Sequence, residues 1–420
     1  HNSVFFYARY WMGFRILLRP LLTFLTYFQI RRYFAFAVLL LFVLRQVLLK
    51  KAPDIRTFVK NNVAIALFLF FALLMVLTTF VNGHTNVMVY GYSYRGEGLL
   101  GYLSYIVYFL LLALNNSDKQ KKIWLYTFVG TSAVAELITV YEMYAYNSFD
   151  TRFIFSHFNH YGYYLAVSVA VNAMLIVVSS KIWEKILFSI TFFLSLLALI
   201  ADDTFGSQIA VFVGIIFICA VYSLAKGKFK PVTLIPMALL ILTFAFAGLT
   251  SEHLSGLISS NLLQIENDTG ALAHGRENAE FSTGVSRMIL WENGLKFISE
   301  EPIKGHGADM TMGRMLQDSN FDTDRCHCEY MNYAICFGIP AALVYIIAVF
   351  MVYFRGLKFR KKLTDIQLIG LCSAMFYLIS AVIGNSMYYT APFLFILLGM
   401  GYFREDDSFA EDKPETVPEA

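Results

Sequence analysis

The chain has 420 residues, of which 58% are hydrophobic and only 15% are charged, whereas ordinary soluble domains are roughly 45–50% apolar and about 25% charged. A soluble fold of this length cannot bury so much apolar surface, so lipid must be the solvent for most of the protein. This composition excludes a cytosolic globular enzyme, a secreted disulfide scaffold and a disordered regulator. The net charge of +3 is too small to indicate a nucleic-acid partner.

Apolar runs long enough to cross about 30 Å of hydrocarbon recur along the chain and predict eleven transmembrane helices. They cover Tyr33–Leu49, Val63–Val81, Gly98–Leu114, Ile123–Tyr146, Tyr161–Val178, Trp183–Ala201, Ser207–Ala225, Val232–Leu249, Glu329–Phe354, Ile366–Ile383 and Met387–Phe403. The stretch Tyr10–Phe28 is apolar but carries Arg15 and Arg19 on one helical face, so it is either a twelfth span or an interfacial amphipathic helix. The sequence therefore predicts an all-α polytopic membrane protein.

Lysine and arginine are distributed unevenly between the two sides of this predicted bundle. Seventeen of them fall in one set of alternate short connections, whereas the opposite short connections contribute little besides Arg95 and Arg152. Because short basic loops stay on the cytoplasmic side, we expect the lysine-rich side to be cytoplasmic. The long hydrophilic stretch Thr250–Cys328 then lies outside.

Five regions follow from this pattern. Residues 1–32 form an interfacial or first transmembrane helix, and residues 33–249 form a first group of transmembrane helices. Residues 250–328 form an extracytoplasmic loop, which is followed by C-terminal spans over residues 329–403. Residues 404–420 are acidic and lack apolar periodicity, which predicts a disordered cytoplasmic tail.

The loop of residues 250–328 is the only long hydrophilic stretch between spans, and loops of such length are usually functional. Within it, Leu295 and Ile298 follow Trp291 at helical spacing, which predicts a helix over Ser286–Ser299 that Pro302 ends. We expect Trp291 to dock this helix on the membrane domain.

Two motifs in and after this loop carry a family resemblance. Ser286-Arg287-x3-Trp291, followed by Pro302-x2-Gly305-x-Gly307, resembles the outer-loop helix of the O-antigen ligase/O-antigen polymerase family. Asp324-Arg325-Cys326-His327-Cys328-Glu329-Tyr330, followed by Gly338-Ile339-Pro340, is similar to that family's His-Asn-Glu-Tyr-Leu entry into the next span.

Two weaker matches extend the resemblance over most of the chain from about Ser156 onward. Phe158–Leu165 resembles an upstream Asn-containing element, and Gly384-Asn385-Ser386 resembles a late one. The order and spacing of the motifs, more than any one of them, make the match specific.

The resemblance implies a membrane glycosyltransferase that works on the outer face of the bacterial cytoplasmic membrane. Its partners would be an undecaprenyl-diphosphate-linked oligosaccharide, a glycan or lipid-linked acceptor, and the lipid bilayer. No metal, nucleotide sugar or other cofactor is needed, because the lipid diphosphate is already a good leaving group. The matched positions make His327 and Arg287 catalytic, with Arg325, Lys304, Glu329 and Asn159 as substrate-binding residues.

These assignments agree with the chemistry that the reaction requires. An anionic diphosphate at a membrane surface needs fixed cations, and the planar fork of arginine suits phosphate oxygens best. Arg287 and Arg325 could supply this fork. The acceptor hydroxyl needs a base that works near neutral pH, which a histidine such as His327 provides.

The sequence also departs from the family pattern. Cys328 stands where the family commonly has Asn after the histidine, and Cys326 replaces a frequent Pro. An Arg often found in an earlier outer connection corresponds to Asp202–Ser207, which has no cation. Diphosphate binding must then depend more on Arg287 and Arg325, or the local carboxylates contact the sugar.

Several structural alternatives remain open for these residues. Arg287 could lie on a solvated helix face, Arg325 could pair with Asp322 or Asp324, and His327 could be a hydrogen-bonded interfacial histidine. Cys326, His327 and Cys328 with Cys336 could suggest zinc, but zinc sites rarely use Cys-x-Cys beside a span without a second cluster.

A different class of function is suggested by Glu136 and Glu142, which lie within an apolar span, where carboxylates are costly. They motivate a transporter or flippase of lipid-linked glycans as the alternative. No inverted repeat is evident and the long loop would be unexplained, so we favour the enzyme. A non-catalytic scaffold would leave the Arg and His residues without a purpose.

The charge of the long loop bears on the acceptor. It carries twelve acidic and six basic residues between Glu252 and Arg325. An acidic lid would repel a heavily phosphorylated acceptor and tolerate a neutral glycan, which favours a polymerase over a ligase.

Overall fold

The computed structural model describes residues 28–48, 55–92, 96–115, 117–146, 155, 158–275, 283–310, 325–385 and 388–404. In these ranges all regular structure is helical. The helices are α1 (Phe28–Leu48), α2 (Ile55–Asn61), α3 (Val63–Val81), α4 (Asn86–Tyr90), α5 (Leu99–Leu114), α6 (Asp118–Tyr146), α7 (Phe158–Val178), α8 (Ile182–Asp202), α9 (Phe205–Lys226), α10 (Leu234–Thr250), α11 (Glu252–His274), α12 (Thr283–Glu300), α13 (Glu329–Lys358), α14 (Asp365–Val382) and α15 (Ala391–Gly401). Short 3-10 turns cover Pro231–Thr233 and Arg360–Lys362.

The prediction of an all-α polytopic membrane protein is confirmed. Eight helical segments are long and apolar enough to cross a membrane: α3, α6, α7, α8, α9, α10 with its preceding turn, α13 and α14. The apolar helices α5 and α15 are shorter, and α1 carries three arginines. Each of the eleven predicted spans coincides with one of these helices. The segment before residue 28 and the tail after residue 404 lie outside the described residues.

Helix α7 is the centre of the bundle. It is buried from His160 to Val177 and packs against α8, α9 and α14. A helix that is apolar all round is expected in such an interior position. A second group, α3, α5, α13 and α15, meets around an aromatic core in which the Tyr333 and Tyr345 ring centroids lie 4.4 Å apart.

Helix α13 breaks at Gly338, which has a φ of 83° inside the helix. Pro340 follows and cannot donate the hydrogen bond that the carbonyl of Cys336 would receive in a regular helix. The N–H of Gly307 donates to that carbonyl instead, over 2.9 Å. A Cβ at position 338 would collide with the carbonyl oxygen of Ile303, so the position requires glycine.

The break is completed by two more backbone hydrogen bonds. Ile339 donates to the carbonyl of Pro302 over 2.7 Å, and His306 donates to that of Ile335 over 2.8 Å. The segment Pro302–Gly307 thus satisfies the backbone groups that the break leaves unpaired. This explains why the proline and glycine motifs of the long loop and of α13 occur together.

The long loop contains two helices in its described part. Helix α12 covers the helix predicted over Ser286–Ser299. Helix α11 was not predicted, although Ser251 caps it by accepting a hydrogen bond from the N–H of Leu254, and Gly275 follows its last residue.

Candidate active site

His327 lies in the short segment that leads from the long loop into α13. Its φ of 51° is left-handed, a conformation that is uncommon for a residue other than glycine and that often occurs at functional sites. Cys326 and Cys328 on either side of it are buried in a cluster with Leu290 and Phe297. The side chain of His327 is only half-buried. The local backbone therefore buries both cysteines and leaves the histidine side chain partly exposed, with its Nδ1 buried.

Helix α12 is fastened to this segment by Trp291. Its ring packs against the cysteine cluster, and its Nε1 donates to the backbone carbonyl of His327 over 3.4 Å. The docking role predicted for this residue is confirmed. Arg287 precedes Trp291 by one helical turn, so both side chains lie on the same face of α12. Helix α12 thus carries both Arg287 and the tryptophan that contacts the His327 segment.

The guanidinium of Arg287 lies between two other helices. Burial lowers its pKa from the ordinary value, and the neighbouring Tyr163 on α7 and Asp268 on α11 oppose that shift. Its Nε is buried and makes no hydrogen bond within the described part of the chain. A cation with an unused donor in a partly desolvated position is suited to bind an anionic ligand.

Tyr163 connects Arg287 to the end of α14. Its hydroxyl donates to the carbonyl of Ser380 over 2.8 Å and lies directly against Gly384, where a Cβ would overlap the hydroxyl oxygen. The charges of Arg287 and Glu329 both act on this hydroxyl. The upstream, loop and late motifs that are far apart in sequence therefore meet at one place.

Glu329 is the first residue of α13 and is fully buried. Its carboxylate accepts hydrogen bonds from the hydroxyls of Tyr377 (3.0 Å) and Tyr333 (3.3 Å). Asn159 is half-buried and precedes Tyr163 by one turn of α7, so it lies on the same helix face. Glu329 and Arg287 both act on the Tyr163 hydroxyl, and Asn159 lies one helical turn from Tyr163.

Arg325 has a different environment from Arg287. Its guanidinium is buried and pairs with Asp309 and with Glu97, the latter over 3.3 Å. Asp309 also accepts a hydrogen bond from the N–H of Tyr92 over 2.7 Å. Arg325 therefore joins the segments before α5 and α13. Asp322 and Asp324, the partners considered from sequence, lie outside the described residues.

Two further residues of the long loop have partners of their own. Lys304 is partly exposed and forms an ion pair with Glu301 at 3.3 Å. The Nε2 of His306 lies 2.9 Å from the carbonyl of Phe297, so this histidine links α12 to the segment that seals the break in α13.

The connection Asp202–Ser207, where the family often has a cation, is held by hydrogen bonds. Asp202 accepts from the hydroxyl of Thr204 at 2.5 Å, and Asp203 accepts from the side-chain amide of Asn261 at 3.0 Å. Burial raises the pKa of Asp203. The connection is thereby tied to α11.

The cysteines serve packing in this region. Burial raises the pKa of the Cys326 thiol to about 12 and also raises that of Cys328. Thiols with raised pKa values stay protonated at neutral pH and are poor metal ligands. Among the described residues, no three His, Cys, Asp or Glu side chains converge on a metal-sized position.

Sequence reasoning missed three residues of this region. Nothing in the sequence marks Glu97 and Asp309 as partners of Arg325, because they are distant from it in sequence. Asn385 lies in a motif that was noted without a role; it is buried, and its Oδ1 makes no hydrogen bond within the described residues. An amide directly after the glycine that receives Tyr163 could have been recognised as a candidate.

Comparison with known families gives a match that overlaps this region of the chain. Residues 190–346 match the family model described as O-antigen ligase. The matched range runs from α8 into α13 and contains Arg287, His327 and Glu329. A search of curated proteins finds no match. The chain is therefore a multi-pass membrane protein with an O-antigen ligase domain, and the resemblance to the O-antigen ligase/polymerase family is confirmed. This match indicates an enzyme of the glycosyltransferase type.

Proposed function

We propose that the protein transfers a glycan from an undecaprenyl-diphosphate carrier to an acceptor hydroxyl on the outer face of the bacterial cytoplasmic membrane. The observation that supports this proposal is the docking of α12, the helix that carries Arg287, on the carbonyl of His327 through Trp291. The Nε of Arg287 is buried and makes no hydrogen bond within the described residues. Cation and base are the two groups that this reaction requires.

In the proposed mechanism, the acceptor oxygen attacks the anomeric carbon from the face opposite the diphosphate. The new glycosidic bond forms as the bond from carbon to the diphosphate oxygen breaks, so the anomeric configuration inverts. His327 takes the proton of the acceptor hydroxyl. Arg287 stabilises the charge that develops on the departing diphosphate. Both tasks are done by side chains, without a metal ion.

The other predicted substrate residues take supporting roles. Glu329, Asn159 and the amide of Asn385 are proposed to offer hydrogen-bonding groups to sugar hydroxyls. Lys304 is partly exposed and could exchange its surface ion pair with Glu301 for a phosphate, since such pairs are weak. Arg325 is engaged by two buried carboxylates, so we assign it to positioning the His327 segment.

We favour a polymerase, in which the acceptor is a second lipid-linked glycan. The acidic excess of the long loop disfavours a heavily phosphorylated acceptor and is neutral toward an uncharged glycan. The environment of Arg287 also favours an uncharged acceptor, because the acidic residue Asp268 of α11 interacts with the charge of Arg287.

Reconstitution of the purified protein in liposomes with one lipid-linked repeat unit as the sole substrate tests this function. We expect a ladder of lengthening products. A single preformed glycan on an added lipid or protein acceptor, with no ladder, would identify a ligase. Movement of the lipid-linked unit across the bilayer with no new glycosidic bond would support the flippase alternative and overturn the proposal.

A further inference from the structure

A band of polar side chains runs through the buried interior between α6, α7 and α8. Its members are Ser132, Glu136, Thr139, Tyr161, Tyr164, Ser168, Asn172, Thr191 and Ser195, and all nine are buried. On α7 the four contributing residues follow one another at intervals of three and four, so they share one helix face. All three helices are candidate membrane spans. The proposed transfer mechanism uses none of these residues.

Glu136 is the one carboxylate of this band. It is fully buried, and the hydroxyls of Ser168 and Ser195 lie beside it. Neither carboxylate oxygen makes a hydrogen bond of normal geometry, and no lysine or arginine of the described chain pairs with it. An isolated negative charge is costly in the interior of a membrane protein. A positive charge must therefore neutralise Glu136.

The hydrogens of the neighbouring hydroxyls are already used. Ser195 donates to the carbonyl of Thr191 over 2.8 Å, and the Oγ of Ser168 lies 3.0 Å from that of Ser195. With the Ser195 hydrogen used in this way, Ser168 donates to Ser195. The side-chain amide of Asn172 donates to the carbonyl of Ser168 over 3.0 Å. In this arrangement both serine oxygens can offer lone pairs to a cation beside Glu136.

Tyr161 follows the same pattern. Thr139 donates to the carbonyl of Ala135 over 3.1 Å, so Tyr161, at 2.7 Å from the Thr139 hydroxyl, is the donor of that pair. The oxygen of Tyr161 is also within range of the Glu136 charge. Hydroxyl oxygens thus border the buried carboxylate, an arrangement that suits a bound cation.

We propose that Glu136, Ser168 and Ser195 bind one Na⁺ ion. The donors are all oxygens, which suit a hard cation and not a transition metal. A single carboxylate balances a single positive charge and leaves no net charge in the membrane interior. A proton on Glu136 would use one serine oxygen only, whereas Na⁺ uses both. The ion ties α6 to α7 and α8.

The test measures Na⁺ binding to the purified full-length protein in lipid nanodiscs. Radiolabelled Na⁺ should bind, and NaCl should raise the midpoint of thermal unfolding relative to choline chloride of equal ionic strength, because a ligand of the native state stabilises it. Glu136→Gln should lose both effects. Glu142→Gln, a matched change on the same helix, should keep both.

Ser168→Ala provides a second test if Glu136→Gln does not fold. It keeps the charge and removes one oxygen, so it should weaken Na⁺ binding by roughly tenfold or more, as seen when groups that support metal sites are removed. Equal stability in NaCl and choline with no bound radiolabel would mean that Glu136 holds a proton, and the proposal would be wrong. Unchanged Na⁺ binding in either variant would place the ion elsewhere and would equally overturn it.

Discussion

Trp291 and His327 are joined by a hydrogen bond in which the indole Nε1 lies 3.4 Å from the backbone carbonyl oxygen. This contact links α12 to the segment that enters α13, across 36 residues of sequence. It lies one helical turn from Arg287. The bond therefore helps to set the separation between the proposed cation and the proposed base.

Trp291→Phe removes this hydrogen bond and keeps an aromatic ring in the cysteine cluster. One such bond contributes about 0.5–1.5 kcal/mol, so we expect the initial rate of glycan transfer to fall roughly two- to tenfold. The midpoint of thermal unfolding should stay close to that of the wild type. Trp291→Ala, which also removes the ring, should lower both quantities. A wild-type transfer rate in Trp291→Phe would show that the bond does not position the site.

Arg287→Lys keeps the positive charge but loses the planar fork that binds phosphate oxygens in pairs. Hydrogen bonds to charged groups contribute about 1.5–3 kcal/mol, so the affinity for undecaprenyl diphosphate should fall about tenfold or more. Inhibition of transfer by added undecaprenyl diphosphate measures this affinity. Lys296→Gln removes an exposed cation from the same helix and serves as the control. An equal loss of affinity in both variants would show that Arg287 acts only through its positive charge and not through paired phosphate contacts.

Arg325→Met leaves Glu97 and Asp309 buried without their shared cation. Loss of one partner from a buried ion pair costs about 3–5 kcal/mol, so we expect a marked fall in the midpoint of thermal unfolding. Adding Glu97→Gln and Asp309→Asn should recover part of the loss, because the unpaired charges are then removed. A variant with wild-type stability and weakened binding of undecaprenyl diphosphate would instead support direct phosphate contact by Arg325.

A cysteine at Ser259, an exposed position on α11, tests the predicted topology. In intact cells it should react with a membrane-impermeant maleimide, because the basic connections lie on the cytoplasmic side. A cysteine at Lys361 should react only after permeabilisation. Wild-type protein gives the background of the native thiols. The reverse pattern would place the long loop in the cytoplasm and remove the proposed outer-face chemistry.

The transmembrane helices and α12 could be predicted because their signals are local. A run of apolar residues requires burial or lipid wherever it lies, and helix-ending residues such as Pro302 act on their immediate neighbours. Helix α11 has a weaker apolar pattern, and only its caps at Ser251 and Gly275 mark it. Apolar periodicity alone does not predict this helix, whereas its capping residues would have indicated where it begins and ends.

The partners of charged residues could not be predicted in the same way. Arg325 lies 228 residues from Glu97, and only the packing of α5 against its neighbours brings them together. The nearby acidic residues Asp322 and Asp324 were the reasonable candidates from sequence. Similarly, nothing local shows that Tyr163 meets both Arg287 and Gly384. Motif matching proposed the residues of the candidate site, but the roles of the arginines depend on tertiary contacts.

The most direct test of the proposed transfer is His327→Ala in the reconstituted system with a lipid-linked repeat unit. Removal of a general base should lower the transfer rate by about 10²- to 10⁴-fold, while the midpoint of thermal unfolding stays near that of the wild type. His274→Ala, which changes an exposed histidine of the same loop, should transfer at the wild-type rate. Full transfer by a folded His327→Ala protein would contradict the assignment of the base and the proposed mechanism that depends on it.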